Sequence, residues 1–96
     1  MAEKLDKAAR EAGIKSLKGW TYDDKASAIA QVFKFESFNQ AFGFMARVAL
    51  EAEKAGHHPD WSNSYDTVTI TLSTHDAGGL SQKDLDLAKA IEALLA

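Results

Sequence analysis

The three histidines of this 96-residue chain all lie in two short polar segments, His-His-Pro-Asp-Trp at residues 57–61 and Thr-His-Asp at residues 74–76. Histidine is the side chain whose unperturbed pKa lies nearest neutrality, so it can both donate and accept protons under physiological conditions. Each segment also places a carboxylate, Asp60 or Asp76, close to an imidazole. This grouping of residue types indicates proton-transfer chemistry.

The same histidines could instead bind a metal ion, with Asp60 or Asp76 as a further ligand, because imidazoles are sufficient ligands for a catalytic zinc. However, the His-x-x-x-His spacing of a helical zinc site is absent, and the chain has no cysteine. A third interpretation is a polar loop whose imidazoles are solvated or interact with a helix C-terminus. Residue types and spacing leave these alternatives open.

Composition limits the class of protein. A length of 96 residues with 46% apolar side chains predicts one globular domain with a modest core. The formal net charge is -3 and the basic residues are scattered, so nothing indicates a nucleic acid or an anionic membrane as a partner. The lack of cysteine suits a reducing cytoplasm, the charged start does not resemble a signal peptide, and no apolar run approaches the roughly 20 residues of a membrane span. We therefore expect a soluble cytoplasmic protein.

The first part of the chain is predicted to form a helix and a hairpin. Apolar residues at helical spacing predict a helix over residues 2–12, with Gly13 as its stop. Period-two spacing of apolar residues predicts strands at residues 20–23 and 28–35, joined by a polar turn. These two strands would begin a sheet.

A long helix is predicted to carry the chain from this hairpin to the histidine pair. Ser37 is a suitable N-cap, Gly56 is suited to a left-handed C-cap, and Pro59 prevents the helix from resuming. The histidine pair is therefore expected directly after the C-terminus of this helix, in the connection that we call the helix exit. The apolar stripe that we expect to face the core consists of Phe38, Ala41, Phe42, Met45, Val48, Ala49 and Ala52.

The clearest strand is predicted at residues 64–74, where apolar residues alternate with a threonine-rich face. His75 ends this strand, and a glycine pair then turns the chain. Ser81 begins a last helix, with Asp84 in a capping-box position. The strand end that carries His75 is therefore a second place where connections can bring polar side chains together.

The predicted order α-β-β-α-β-α is typical of an α+β two-layer sandwich, in which helices cover one face of an antiparallel sheet. The threonine-rich face would then have no helix to cover it, and the sheet would have open edges. We therefore expect a homo-oligomer, joined through sheet edges or through sheet faces.

Three residues near the histidines have both a functional and a structural interpretation. Glu53 lies one helical turn before His57, and Asp84 follows His75 at the start of the last helix, so either carboxylate could orient an imidazole. They could equally be a solvated helix residue and a capping charge. Trp61 could form a flat wall for a heteroaromatic ligand or pack on the core.

Two motifs are more specific than any of these residues alone. They are E-x-x-x-H-H-P-D-W over residues 53–61 and T-H-D-x-G-G-L-S-x-x-D over residues 74–84, preceded by Gly-Trp at residues 19–20 and F-x-x-F-x-x-A-F at residues 35–42. In these motifs, and over about residues 17–92, the chain resembles the pterin-4a-carbinolamine dehydratases. The resemblance implies a small α+β fold, dimers that can pair into tetramers, and no metal or cofactor besides the pterin substrate.

The resemblance also implies the reaction and the residues that perform it. A hydro-lyase of this family removes water from a 4a-hydroxytetrahydropterin, the 4a-carbinolamine, to give a quinonoid dihydropterin. That step recycles the tetrahydrobiopterin used by an aromatic amino acid hydroxylase. By resemblance, His57, His58 and His75 perform the acid–base catalysis, and the substrate-binding residues are Glu53, Trp61, Ser73, Thr74, Asp76 and Asp84.

A second function class stays open beside the enzyme. Animal members of the family also act as dimerisation partners of a homeodomain transcription factor, so the alternative is a non-catalytic pterin-binding or protein-dimerisation module. A pterin pocket used in molybdopterin-related metabolism is a further possibility. No residue in the sequence decides among them.

Overall fold

The computed structural model describes residues 2–95. In chain order its elements are α1 (Lys7–Lys15), β1 (Thr21–Asp23), β2 (Ala28–Lys34), α2 (Phe38–Ala55), β3 (Asp60–Ser64), β4 (Thr67–Leu72), a 3₁₀ turn (His75–Ala77) and α3 (Gln82–Ala93). The strands form one antiparallel sheet in the order β1-β2-β4-β3. Apolar side chains of the helices and of one sheet face form a common core, which confirms the predicted α+β sandwich.

The sheet contains one strand more than predicted, because the segment after the histidine pair is itself a strand. β3 pairs with β4 in a hairpin whose turn contains Tyr65, at a φ of 50°. The amide of Asn63 donates to the carbonyls of Tyr65 and Thr67 and so fixes this turn. The observed order is therefore α-β-β-α-β-β-α.

The first helix begins and ends later than the sequence pattern predicts. Its N-cap is Asp6, whose carboxylate accepts from the backbone N–H of Ala9 at 2.8 Å. Gly13, predicted to stop the helix, lies inside it. A Cβ at this position would lie 2.3 Å from Cδ1 of Leu85 in α3. The predicted bounds of residues 2–12 are therefore wrong, and Gly13 instead allows α1 to pack closely on α3.

The predicted caps at both ends of α2 are confirmed. The Ser37 hydroxyl accepts from the N–H of Gln40 at 3.1 Å, and Gly56 forms a left-handed C-cap with a φ of 65°. The helix exit that carries His57 and His58 is thus built as expected. Within residues 2–95, neither α2 nor any other helix is long and apolar enough to cross a membrane.

The core-facing stripe of α2 differs from the predicted one. The buried side chains are Ala41, Phe44, Val48 and Ala52. Phe38 and Phe42, predicted to be core, are 50% and 59% exposed, with their rings 6.0 Å apart on the outer side of the helix. This prediction was wrong because α2 is apolar on two sides, and helical periodicity does not indicate which side meets the sheet. Phe44, absent from the predicted stripe, is fully buried and packs against the rings of Phe33 and Phe35.

The alternation in β4 is confirmed. Val68, Ile70 and Leu72 are buried in the core, while the intervening threonines are half-buried on the opposite face. On that open face, Val32 of β2 pairs with Thr69 and is 63% exposed. The open face of the sheet, and the loops at its end, are therefore accessible to a ligand or to another chain.

Candidate active site

Asp84 lies at the centre of a buried polar network. One of its oxygens, Oδ2, accepts from the backbone N–H of Ser81 at 2.9 Å and from the hydroxyl of Thr74 at 2.8 Å. The other, Oδ1, lies 2.5 Å from Nε2 of His57. A fully buried carboxylate is costly unless it is hydrogen-bonded, and here donors on both oxygens compensate its charge.

Local structure explains why these groups meet. Ser81 and Asp84 form a capping box at the start of α3, where the helix dipole also favours a negative charge. Thr74 reaches them because it pairs with Gly79 across a short loop, and its hydroxyl lies 2.6 Å from that of Ser81. The strand end before His75 is thus tied to the start of α3.

His57 is held by its backbone as well as by its ring. Its N–H donates to the carbonyl of Ala52 across the Gly56 cap, and its side chain is only 10% exposed. When the proton of the neutral ring is on Nε2, that N–H donates to Asp84 and leaves Nδ1 able to accept a proton. The pair with Asp84 therefore selects one tautomer of His57.

His58 has a different partner. Its Nε2 lies 2.7 Å from Oε1 of Glu53, and both side chains are largely exposed. An exposed pair of this kind contributes little to stability, so its effect is mainly to orient the ring. Glu53 and Asp84 thus each contact one imidazole of the pair, and the substrate-binding roles predicted for both carboxylates stay predictions.

His75 lies at a cleft of about 390 Å³ on the open face of the sheet. The cleft is within the size range typical of small-molecule sites. One wall comes from the β1–β2 turn and the other from the loop that follows β4. The lining residues are Ala26, Ala28, Asp60, Thr71, Ser73, His75, Gly78 and Gly79.

The structure distributes the predicted substrate-binding residues over different environments. Ser73 lines the cleft, whereas Thr74 is buried with its hydroxyl in the Asp84 network. Trp61 pairs with Ile70 in the sheet and packs against the core, on the face opposite the cleft. Asp76 is exposed on the 3₁₀ turn. Ligand contacts of these residues stay predictions.

Asp60 and Thr71 line the cleft but were not among the predicted substrate-binding residues. They are direct partners in the β3–β4 pairing, so both point to the open face beside Ser73. The sequence pattern did not indicate them as substrate contacts because β3 was not recognisable in it. One signal in the sequence could, however, have indicated β3. The strict alternation of β4 calls for a partner strand, and the residues after Pro59 are available to form it.

The arrangement of the histidines bears on the metal alternative. Across the described residues 2–95, no three histidine, aspartate or glutamate side chains are grouped so that they could hold a metal ion. Instead, two of the imidazoles each contact a single carboxylate: His57 contacts Asp84, and His58 contacts Glu53. Paired groups of this type can hold and transfer protons.

An antiparallel sheet with helices on one face, and histidine–carboxylate pairs after the C-terminus of α2, defines a small α+β protein with a cluster of imidazole and carboxylate groups at one end of the sheet. A family model described as pterin 4 alpha carbinolamine dehydratase matches residues 3–94. The chain therefore belongs to the pterin-4a-carbinolamine dehydratase family.

Related sequences agree with this membership. A Nitrobacter hamburgensis protein, provisionally named pterin-4-alpha-carbinolamine dehydratase, is 55% identical over 94 residues, which cover 98% of this chain and 93% of the relative. A Rhodospirillum rubrum protein with the same provisional name is 53% identical over 95 residues, covering 99% of each chain.

Two solved structures are also similar. A crystal structure from Brucella melitensis, described as a transcriptional coactivator/pterin dehydratase, matches with a TM-score of 0.94 at 39% identity, covering 98% of this chain and 100% of that one. A pterin dehydratase-like protein, described as a RuBisCO assembly factor in the alpha-carboxysome, matches with a TM-score of 0.68 at 26% identity, covering 79% of this chain and 88% of that one.

Proposed function

We propose that the protein is a hydro-lyase that converts a 4a-hydroxytetrahydropterin to the quinonoid dihydropterin and water. The observation that carries this proposal is the buried His57–Asp84 pair, tied through Thr74 to the loop that places His75 at the cleft. The family membership supports the same reaction. The step belongs to recycling of the tetrahydrobiopterin used by an aromatic amino acid hydroxylase.

The reaction needs one acid and one base. The bond from C4a to its hydroxyl oxygen breaks as a protonated imidazole donates a proton to that oxygen, and water leaves. A neutral group removes the proton of the adjacent ring nitrogen, whose electron pair forms the new double bond to C4a. Each positioned acid or base typically contributes about 10²–10⁴ in rate.

The histidines differ in which ring nitrogens are available for these roles. His57 and His58 have Nε2 on a carboxylate, which leaves Nδ1 of each ring available. His75 is the histidine that lines the cleft. We assign the acid–base work to His57, His58 and His75, with Asp84 and Glu53 holding the rings of the first two.

The cleft favours a ligand that is rich in N–H groups. An ionised Asp60 is purely an acceptor, and Ser73 lies beside it. A pterin presents an amino group and ring N–H groups along one edge, which matches such acceptors. In this proposal the pterin occupies the cleft, with Glu53 and Asp76 as further predicted contacts. Thr74 acts from its buried position through Asp84, and Trp61, on the opposite face of the sheet, does not line the cleft.

The experiment supplies enzymatically generated 4a-hydroxytetrahydropterin and follows the quinonoid product by absorbance. We expect the protein to accelerate dehydration over the spontaneous rate, and His58→Ala to reduce that acceleration strongly without unfolding, since the His58 ring is exposed. Lys54→Ala, an exposed change on the same helix end, is the matched control and should leave the rate unchanged. Unchanged turnover in a folded His58→Ala variant would contradict the assignment.

We also propose that the reaction needs no metal and no cofactor other than its pterin substrate. Activity should then survive exhaustive treatment with a chelator, because imidazole and carboxylate groups supply the proton transfers. The measurement is the dehydration rate before and after chelation. Loss of activity that added zinc restores would favour the metalloenzyme interpretation instead.

The second candidate is a non-catalytic pterin-binding or protein-dimerisation module. It is favoured by the similarity to a pterin dehydratase-like protein described as an assembly factor. The same absorbance experiment separates the two, since a module would give no acceleration over the spontaneous rate. For either candidate we propose a cytoplasmic homo-oligomer.

A further inference from the structure

Ser27 has an unusual backbone conformation for its residue type. It lies in the turn between β1 and β2 with a φ of 49°, in the left-handed region that side chains other than glycine rarely adopt. Such a conformation is unfavourable for a residue other than glycine and persists only where surrounding contacts fix it. The contacts of Ser27 therefore show what holds it in this conformation.

Ser27 binds both ends of the loop that carries His75. Its carbonyl accepts from the hydroxyl of Ser73 at 3.0 Å, just before the loop. Its own hydroxyl accepts from the backbone N–H of Leu80 at 3.2 Å, just after the loop. Between these two points the loop is closed by a pair of backbone hydrogen bonds between Thr74 and Gly79, both 3.1 Å.

Gly79 lacks a side chain and so leaves the space that the Ser27 hydroxyl occupies. A Cβ on Gly79 would lie 2.2 Å from Oγ of Ser27, so no larger residue fits there while Ser27 keeps its position. The Tyr22 hydroxyl makes a longer contact of 3.4 Å with the same Oγ. The β1–β2 turn and the His75 loop are thus fitted to each other at one side chain.

This contact also forms the cleft. Ala26 and Ala28, the chain neighbours of Ser27, line one wall, while His75, Gly78 and Gly79 line the other. Because the hydroxyl proton of Ser73 goes to the Ser27 carbonyl, the Ser73 oxygen can only accept a hydrogen bond from a ligand. Its acceptor role follows from the backbone of Ser27, not from its side chain.

We propose that Ser27 is a positioning residue that clamps the His75 loop and sets Ser73 as a hydrogen-bond acceptor for an N–H group of the substrate. The side chain of Ser27 acts on His75, and the carbonyl of Ser27 acts on Ser73. The kinetic consequences rest on the proposed dehydratase function, whereas the clamp itself does not.

The two contacts predict different kinetic effects. Ser27→Gly keeps the carbonyl and removes the hydroxyl and the backbone strain, so it should fold and still orient Ser73. We expect kcat to fall by about tenfold to a hundredfold with little change in KM, because His75 loses its fixed position.

Ser73→Ala removes the acceptor instead, so KM should rise while kcat changes less. Lys25→Ala, in the same turn and exposed, is the control that should change neither.

Readouts that do not depend on turnover test the clamp directly. Hydrogen exchange of the Leu80 amide should accelerate in Ser27→Gly, and the ring NMR signals of His75 should shift.

Unchanged Leu80 exchange and unchanged His75 signals in Ser27→Gly would overturn the clamp, as would a rise in KM with kcat unaffected. If the wild-type protein does not accelerate dehydration, the proposed function fails. In that case the exchange and NMR results still decide whether Ser27 holds the loop.

Discussion

Asp84 performs two tasks with one carboxylate. It caps α3 through the Ser81 N–H, and it holds Nε2 of His57. The sequence suggested a capping charge or an orienting group as alternatives, and the structure shows that Asp84 both caps α3 and contacts the His57 ring. The helix N-terminus stabilises the negative charge that the histidine needs as a partner.

We expect Asp84→Asn to preserve the fold and to remove most of the activity. The asparagine oxygen can still accept from Ser81 and Thr74, so the free energy of unfolding should fall by only about 1–3 kcal/mol. Its amide would donate to Nε2 of His57 and so favour the tautomer with the proton on Nδ1, which can no longer act as a base. Loss of about 10²–10⁴ in kcat is expected.

The matched control is Asp86→Asn, on the exposed side of the same helix, where the carboxylate accepts only from Gln82 among the described residues. Kinetics and urea unfolding of both variants separate catalysis from stability. An Asp84→Asn protein with wild-type kcat would show that the tautomer of His57 does not matter.

Among single residues, the candidate histidines and carboxylates could be identified from the sequence, but the residues that hold them in place could not. The histidines and their carboxylates lie in two short motifs that can be recognised locally. Ser27 contacts residues that lie 46 and 53 positions away, so its role exists only in the folded chain. Asp60 was identified as a carboxylate beside the histidines, but its place in the cleft was not predicted, since its strand was not identified.

At the scale of elements, predictions succeeded where the signal was local and failed where it depended on a partner. The caps of α2 at Ser37 and Gly56 follow from side-chain and backbone chemistry within a few residues. β3 is polar and lacks β-branched residues, so it becomes a strand through its pairing with β4. The core side of α2 is likewise decided by the sheet against which it packs.

The helix exit at Gly56 gives a prediction about stability. Gly56→Ala should destabilise the protein by about 1–2 kcal/mol, because the position has a φ of 65° and a side chain there costs that much in the left-handed region. No atom lies within 4 Å of the added Cβ, so the effect comes from the backbone alone. Urea unfolding measures it.

Gly43→Ala, in the interior of the same helix, is the control with the opposite expected sign. Its nearest neighbour would be Nη1 of Arg47 at an ordinary 3.8 Å, so alanine should stabilise the helix by about 0.5–1 kcal/mol. A Gly56→Ala variant as stable as the wild type would show that the exit does not require a left-handed residue.

At the scale of the whole molecule, two surfaces have no covering element among residues 2–95. One is the open face of the sheet, with Val32 among polar neighbours, and the other is the outer side of α2, with Phe38 and Phe42. Exposed apolar patches on a small protein commonly mark association sites. The sequence predicted association through the sheet, whereas the structure adds a helix surface that the predicted stripe had assigned to the core.

We expect the protein to form a homo-oligomer in which a second copy covers the outer side of α2. Two adjacent phenylalanine rings offer more apolar area than the single Val32, and each Å² removed from water contributes about 25 cal/mol. Sedimentation at micromolar concentration should therefore give a mass above that of the 10.4 kDa chain. The double variant Phe38→Ser, Phe42→Ser should lower that mass, and Val32→Ser should not. If only Val32→Ser dissociates the oligomer, the sheet face is the interface, and a monomeric wild-type protein would contradict self-association altogether.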